Sequence, residues 1–193
     1  MLDALCQGIE SWWSVNSTDE SKEYSKTAVQ LITRYWRSYI FDNDAHAAAQ
    51  IMDAANYAGR AINISATTAA HAMSYKITSL YRLPHGHAVA VCLPEIWDYM
   101  ISHPEKCIDP RGKEYMQNIF SLISESMGAP GPQQAVALFR NIMKEMEMQN
   151  PIAVNRKPEL AQLAGSVNPV RLKNNPVLLD SDTLLNLYEL IVK

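Results

Sequence analysis

Four of the five histidines stand at or beyond position 71: His71, His85, His87 and His103. Imidazole titrates nearest to neutrality and is the commonest side-chain ligand for metals, so these residues are the first candidates for chemistry. Taken singly, each also reads as an ordinary core or surface histidine. The interval between His71 and His85 is the informative one. On one straight helix, fourteen residues span about 21 Å at about 1.5 Å each, too far to share an ion. Pro84 interrupts any helix just before His85, which lets the chain turn and bring the second ring back beside the first. At the other end of the chain, Asp3 and Gln7 stand at i and i+4. That spacing stacks a carboxylate and an amide on one helix face, where they can chelate together. Their ordinary reading is a helix-start acid favoured by the dipole and a solvated amide.

The remaining composition removes other chemistries. Cys6, Cys92 and Cys107 cannot all pair, and none stands in a C-x-x-C spacing; they read as reduced thiols packed as small hydrophobes. Only 7 of 193 residues are glycine, and neither G-x-G-x-x-G nor G-x-x-x-x-G-K-[ST] occurs. The chain therefore carries no phosphate cradle of its own, and a nucleotide cofactor has to be held elsewhere. A net charge of −3 supplies no basic field for nucleic acid. No apolar run is long enough for a membrane span. The N-terminal MLDALCQGIESWW lacks a basic region and an apolar signal core, so the expectation is a cytoplasmic protein.

Helical periodicity dominates the elements that must position these residues, and alternating β-branched runs are nearly absent. Leu2, Leu5, Ile9, Trp12 and Trp13 form the stripe of a first amphipathic helix. Ser17 and Glu20 stand at capping-box spacing ahead of a helix to about Tyr39. Asp44 can cap an alanine-rich helix from Ala45 to Ile64. Further helices are expected over Ser65 to Tyr81, over His87 to Met100 with a bend or break at Pro94, over Lys113 to Met127 and over Gln133 to Met148. A short segment near Pro158 to Leu163 and a last helix from Ser181 to Val192 complete the reading. The fold class is one all-α bundle.

Three segments, DALCQGIESWWS, GRAINISATTAAHAMSY and LPHGHAVAVCLP, resemble the C-terminal helical half of the iron-containing (group III) alcohol dehydrogenases. The closing VNPVRLKNNPVLL is similar to that family's last segment. The family has an Asp-Ala-x-x-His-x-x-Glu helix, then two histidines fourteen residues apart, the second in a Pro-His-Gly turn. The resemblance implies a bundle of the dehydroquinate synthase-like type, with metal ligands at Asp3, Gln7, His71 and His85. It implies a divalent cation, Fe²⁺ first and Zn²⁺ second, and NAD(P)H as the hydride source. Two positions depart from the family: Gln7 stands where it usually has a histidine ligand, and Tyr75 where it often has a histidine near the substrate. A neutral amide oxygen is the weaker donor and disfavours tight zinc binding. A phenol would relay protons differently from an imidazole.

Within the family, the pattern is most similar to the branch acting on phosphonoacetaldehyde, a substrate that needs cationic and hydroxyl donors. Arg60, Asn63 and Thr67 share a helix face leading towards His71, with Thr68 and Lys76 nearby; these five are the candidate substrate contacts, and Tyr75 the candidate catalytic residue. The resemblance further implies a small alcohol or aldehyde substrate and an upstream dinucleotide-binding domain that this chain lacks, so that the chain alone is expected to be inactive. Two other readings are a helical metallohydrolase and a metal-free scaffold or interaction domain. A last expectation is self-association as a homo-oligomer through a face bearing Ile9, Trp12 or Trp13, the alternative being that both tryptophans lie in the core.

Overall fold

Ten of the twelve residues of the first helix, α1 (Leu2–Trp13), are buried. A helix that is covered on every side belongs in the middle of a bundle rather than on its surface. The computed structural model, which describes residues 1–193, places it there: α1 packs against α2 (Asp19–Phe41), α3 (Ala45–Ser65), α5 (His85–Ser102) and α6 (Lys113–Ser126). The core runs on through α4 (Ala69–Tyr81), α7 (Pro132–Glu145), α8 (Arg156–Gly165) and α10 (Ser181–Ile191), while α9 (Pro169–Leu172) is a single turn lying against α4. A 3₁₀ turn follows α5 at Pro104–Lys106, and no β-strand forms. No helix is long and apolar enough to cross a membrane.

Local sequence explains most boundaries. Asp44 caps α3 by accepting from His46 N (2.7 Å) and Ala47 N (3.1 Å), and the buried Ala54, Ala58 and Ala61 let α3 lie close to its neighbours. The cap of α2 is Thr18 paired with Ser21, one residue on from the expected Ser17 and Glu20. The hydroxyl of Ser17 instead accepts from Arg111, whose guanidinium also donates to Ser14 O and Asp109. The helix expected from Ser65 begins only at Ala69, because Ala66 adopts φ +58°, ψ 171° and ends α3. The helix expected from His87 begins at His85 and passes Pro94 without a break; Pro94 sits wholly within buried surroundings that hold the helix against the loss of one backbone bond.

The tryptophans go inside. Ile9, Trp12 and Trp13 are at most 3 % exposed, so the expected association face does not exist at these residues. Trp13 packs edge-on against Trp97 (5.5 Å) and Phe120 (5.9 Å). Its indole N–H donates to the Thr68 hydroxyl at 2.8 Å, which removes the one polar cost of burying it.

Candidate metal centre

Three helix beginnings meet at one place. Asp3 lies in the first turn of α1, His71 in the first turn of α4, and His85 is the first residue of α5. The left-handed C-cap Arg82 (φ 55°) ends α4, and Leu83 and Pro84 carry the chain back. This reversal brings the His71 and His85 rings to 5.5 Å, edge to face. Asp3 Oδ1 is 3.5 Å from His71 Nε2 and 3.8 Å from His85 Nε2. One potential ligand atom from each of the three residues lies within 4.8 Å of the others. Gly86 makes the approach possible: a Cβ there would stand 3.0 Å from Asp3 Cβ and 3.3 Å from Asp3 N.

The donor set fits a divalent transition metal. Asp3 Oδ1 and His71 Nε2 are both buried and have no hydrogen-bond partner; their 3.5 Å approach is a charge contact without hydrogen-bond geometry. Buried polar atoms are ordinarily paired, and two orphans aimed at each other beside a second imidazole are what a cation would satisfy. Without one, the charges settle the site differently. Burial disfavours a charged His71, but the Glu10 carboxylate and Asp3 outweigh it and push its pKa up to about 9. The His71 ring in turn holds the Asp3 carboxyl below its usual range, against the opposing effect of burial.

Glu10 is the residue that sequence reasoning passed over. It is fully buried, and one carboxylate oxygen accepts from Thr68 N (3.2 Å), the Thr68 hydroxyl (2.8 Å), Ala70 N (2.8 Å) and His71 N (3.3 Å). Glu10 thus caps the N-terminus of α4 from another helix, where a negative charge is favoured. Its other oxygen bonds His71 Nδ1, which fixes the ring and leaves Nε2 facing Asp3. Its position carried a signal, because Glu10 closes the Asp-Ala-x-x-His-x-x-Glu pattern that Asp3 opens and lies on the same side of α1 as Asp3 and Gln7, but that pattern names no partner 61 residues away.

The other candidates divide. Gln7 donates its amide N–H to Asp3 Oδ2 at 2.8 Å, so its amide holds the carboxylate. Tyr75, 45 % exposed, stacks on His85 at 5.6 Å. Thr68 is buried on Glu10, and the Thr67 carbonyl accepts from Asn174 Nδ2 at 3.1 Å. Arg60 donates to the Tyr24 hydroxyl and lies over the Tyr24 ring at 4.0 Å, and Asn63 is exposed. Lys76 follows Tyr75 on α4 and is half-buried. His87 bonds the Gln149 carbonyl and His103 the Tyr99 carbonyl; neither joins the cluster.

The sequence pattern of the Fe-containing alcohol dehydrogenase family, C-terminal part, matches residues 1–192. The chain belongs to this family. Over 187 residues it is 32% identical to the phosphonoacetaldehyde reductase of Streptomyces viridochromogenes, covering 95% of this chain and 47% of that protein. It is 32% identical over 110 residues to the 1,3-propanediol dehydrogenase of Klebsiella pneumoniae, covering 56% of this chain and 28% of the relative. The chain thus spans about half the length of the first of these relatives and less of the second. Among solved structures, it superimposes on an iron-containing alcohol dehydrogenase from Thermococcus thioreducens with a TM-score of 0.85 at 20% identity, over 97% of this chain and 48% of the other. The sulfoacetaldehyde reductase of Bifidobacterium kashiwanohense, solved with NAD⁺, gives 0.84 at 21% identity, over 98% and 48%. At such identities the likeness is one of fold.

Proposed function

We propose that this chain is the metal-binding, substrate-facing half of an NAD(P)H-linked reductase of small aldehydes, phosphonoacetaldehyde among them. A dinucleotide-binding domain outside this sequence would hold the cofactor, in keeping with the absence of any glycine-rich phosphate loop. In the assembled enzyme the cation supplies Lewis-acid polarisation of the aldehyde oxygen and NAD(P)H supplies the hydride. Asp3 contributes the anionic ligand. His71 contributes Nε2, its tautomer set by Glu10 on the opposite nitrogen, and His85 completes the set from the start of α5. Gln7 orients Asp3 through its amide N–H. Tyr75, exposed and stacked on His85, carries the hydroxyl available to hold or pass a proton beside the cluster.

The observation that carries this reading is the pair of buried, partnerless atoms, Asp3 Oδ1 and His71 Nε2, facing each other beside His85. The test is to load the chain with Fe²⁺ or Zn²⁺ anaerobically, measure the bound metal, and assay aldehyde reduction after joining it to its nucleotide-binding half. Bound metal, with reduction lost in Asp3→Ala, is the expected result. A chain that takes up no metal, wild type and Gln7→His alike, would leave the scaffold alternative standing.

A further inference from the structure

The cation in contact with an aromatic ring at the edge of the cluster is none of those nominated from the sequence. Arg171, on the single turn α9, places its guanidinium 5.1 Å from the centroid of the Tyr75 ring, and that ring stacks on His85 at 5.6 Å. Arg171 is thereby tied to the rim of the cluster through one exposed aromatic side chain, a contact within the usual reach of a cation–π pair. Its segment is anchored to the site: Asn168 caps α9, Asn174 Nδ2 donates to the Thr67 carbonyl at 3.1 Å, and Val15 N donates to Asn174 O at 3.0 Å.

Among the other arginines, Arg37, Arg111 and Arg140 meet carboxylates, Arg156 meets backbone carbonyls, and Arg34 and Arg60 lie on Tyr35 and Tyr24. Arg82, exposed at the C-cap of α4, is also unpaired, but Arg171 is the arginine whose guanidinium lies over the Tyr75 ring. Arg171 is exposed, and no carboxylate or carbonyl of the chain takes a hydrogen bond from its guanidinium, whose planar fork matches a phosphonate or carboxylate in two-point contact.

We propose that Arg171 binds the anionic end of the substrate while the aldehyde end occupies the Asp3–His71–His85 cluster, so that the site selects small aldehydes with a phosphonate or similar anionic group over neutral ones. This rests on the aldehyde-reductase reading above. Arg171 acts on binding, and Tyr75 serves as the platform that holds the guanidinium over the site.

Zinc-loaded chain titrated calorimetrically with phosphonoacetate and, separately, with acetate tests it, the two probes sharing a carboxylate and differing in the phosphonate. Arg171→Leu should weaken phosphonoacetate about tenfold more than acetate, as expected for loss of a charge-assisted two-point contact. Arg171→Lys should recover part of the difference, because it keeps the charge and loses the fork. A phosphonoacetate-to-acetate ratio that stays within about twofold of wild type in Arg171→Leu would overturn the assignment of Arg171 and leave the metal reading intact. Failure of wild type to bind zinc, or equal binding of both probes with and without zinc, would overturn the aldehyde-reductase reading and this proposal with it. Because the Arg171 side chain makes no hydrogen bond within the chain, its replacement leaves the fold in place and every variant readable.

Discussion

At the residue scale, Glu10 is the lever on the metal ligand. Its carboxylate accepts from His71 Nδ1, which leaves Nε2 as the unprotonated donor in the neutral ring. Glu10→Gln keeps shape and an acceptor for the α4 amides, but its NH₂ would donate to Nδ1 and drive the proton onto Nε2. Metal affinity should fall by about 10- to 100-fold, the usual cost of losing the group that orients a ligand. Nitrogen NMR of His71 should show the exchanged tautomer. Thr68→Val, which removes a hydroxyl bond to Glu10 without touching His71, should lower stability with little change in affinity. Gly86→Ala should also weaken binding, since its Cβ would press on Asp3 Cβ and backbone; overpacking of this kind costs about 1–3 kcal/mol.

The pH dependence at His71 has a definite sign in the metal-free chain. Its pKa is raised from the ordinary 6.5 to about 9, so the protonated ring with Glu10 and Asp3 stabilises the fold fully below about pH 6.5. That contribution is lost as pH rises through about 9. A cation needs the same Nε2 bare, so its affinity should increase over that window. Titrations at pH 7.5 in buffers of different ionisation enthalpy should report release of about one proton per ion. No net proton release at this pH would mean that His71 does not ligate.

At the element scale, the turn between α3 and α4 is the strained joint that sets the site. Ala66 sits at φ +58°, ψ 171°, a region almost confined to glycine and costing about 1–3 kcal/mol for other residues. The reversal it makes is what delivers the Thr68, Ala70 and His71 amides to Glu10. Ala66→Gly should stabilise the chain by about 1 kcal/mol in a urea titration, the relief of strain being offset in part by glycine's extra freedom in the unfolded state. Unchanged or lower stability would mean that the turn tolerates alanine without strain.

Elements were legible where the signal was local. Asp44, the alanines of α3 and the long apolar stripes announce their helices, and Pro84 announces the reversal before His85. What escaped depends on distant partners. Ala66 ends a helix with no glycine or proline to mark it, and Pro94 leaves its helix unbroken because packing on several sides outweighs one lost bond. The stripe of Trp12 and Trp13 is compatible with an exposed face or with the core, and the structure bears out the core, α1 being covered nearly all round. Glu10 and Arg171 act through residues 61 and 96 positions away, a distance over which periodicity carries no information.

At the scale of the whole molecule, the cluster ties α1, α4 and α5 together at their N-termini, and the core already does the same work through Trp13. Trp13→Ser removes a fully buried indole packed on Trp97 and Phe120, and truncations of that size cost about 3–5 kcal/mol. It should therefore unfold the chain at lower denaturant concentration rather than change its state of association.

The metal should add to that core by mass action. The three ligands come from three helices that separate on unfolding, so the folded chain binds the ion far better than the unfolded one. At a free ion concentration of 100 times Kd the gain is about 2.7 kcal/mol. For a domain of this size that corresponds to a rise in Tm of roughly 5–10 °C. A chelator should return the transition to its metal-free position. His85→Ala provides the internal control: its side chain is only half-buried, so it should unfold near the metal-free wild type and show no shift with added ion. Equal shifts in wild type and His85→Ala would place the bound ion away from this cluster; no shift in either, at millimolar Fe²⁺ or Zn²⁺, would mean that the orphaned Asp3 and His71 atoms are not a metal site at all.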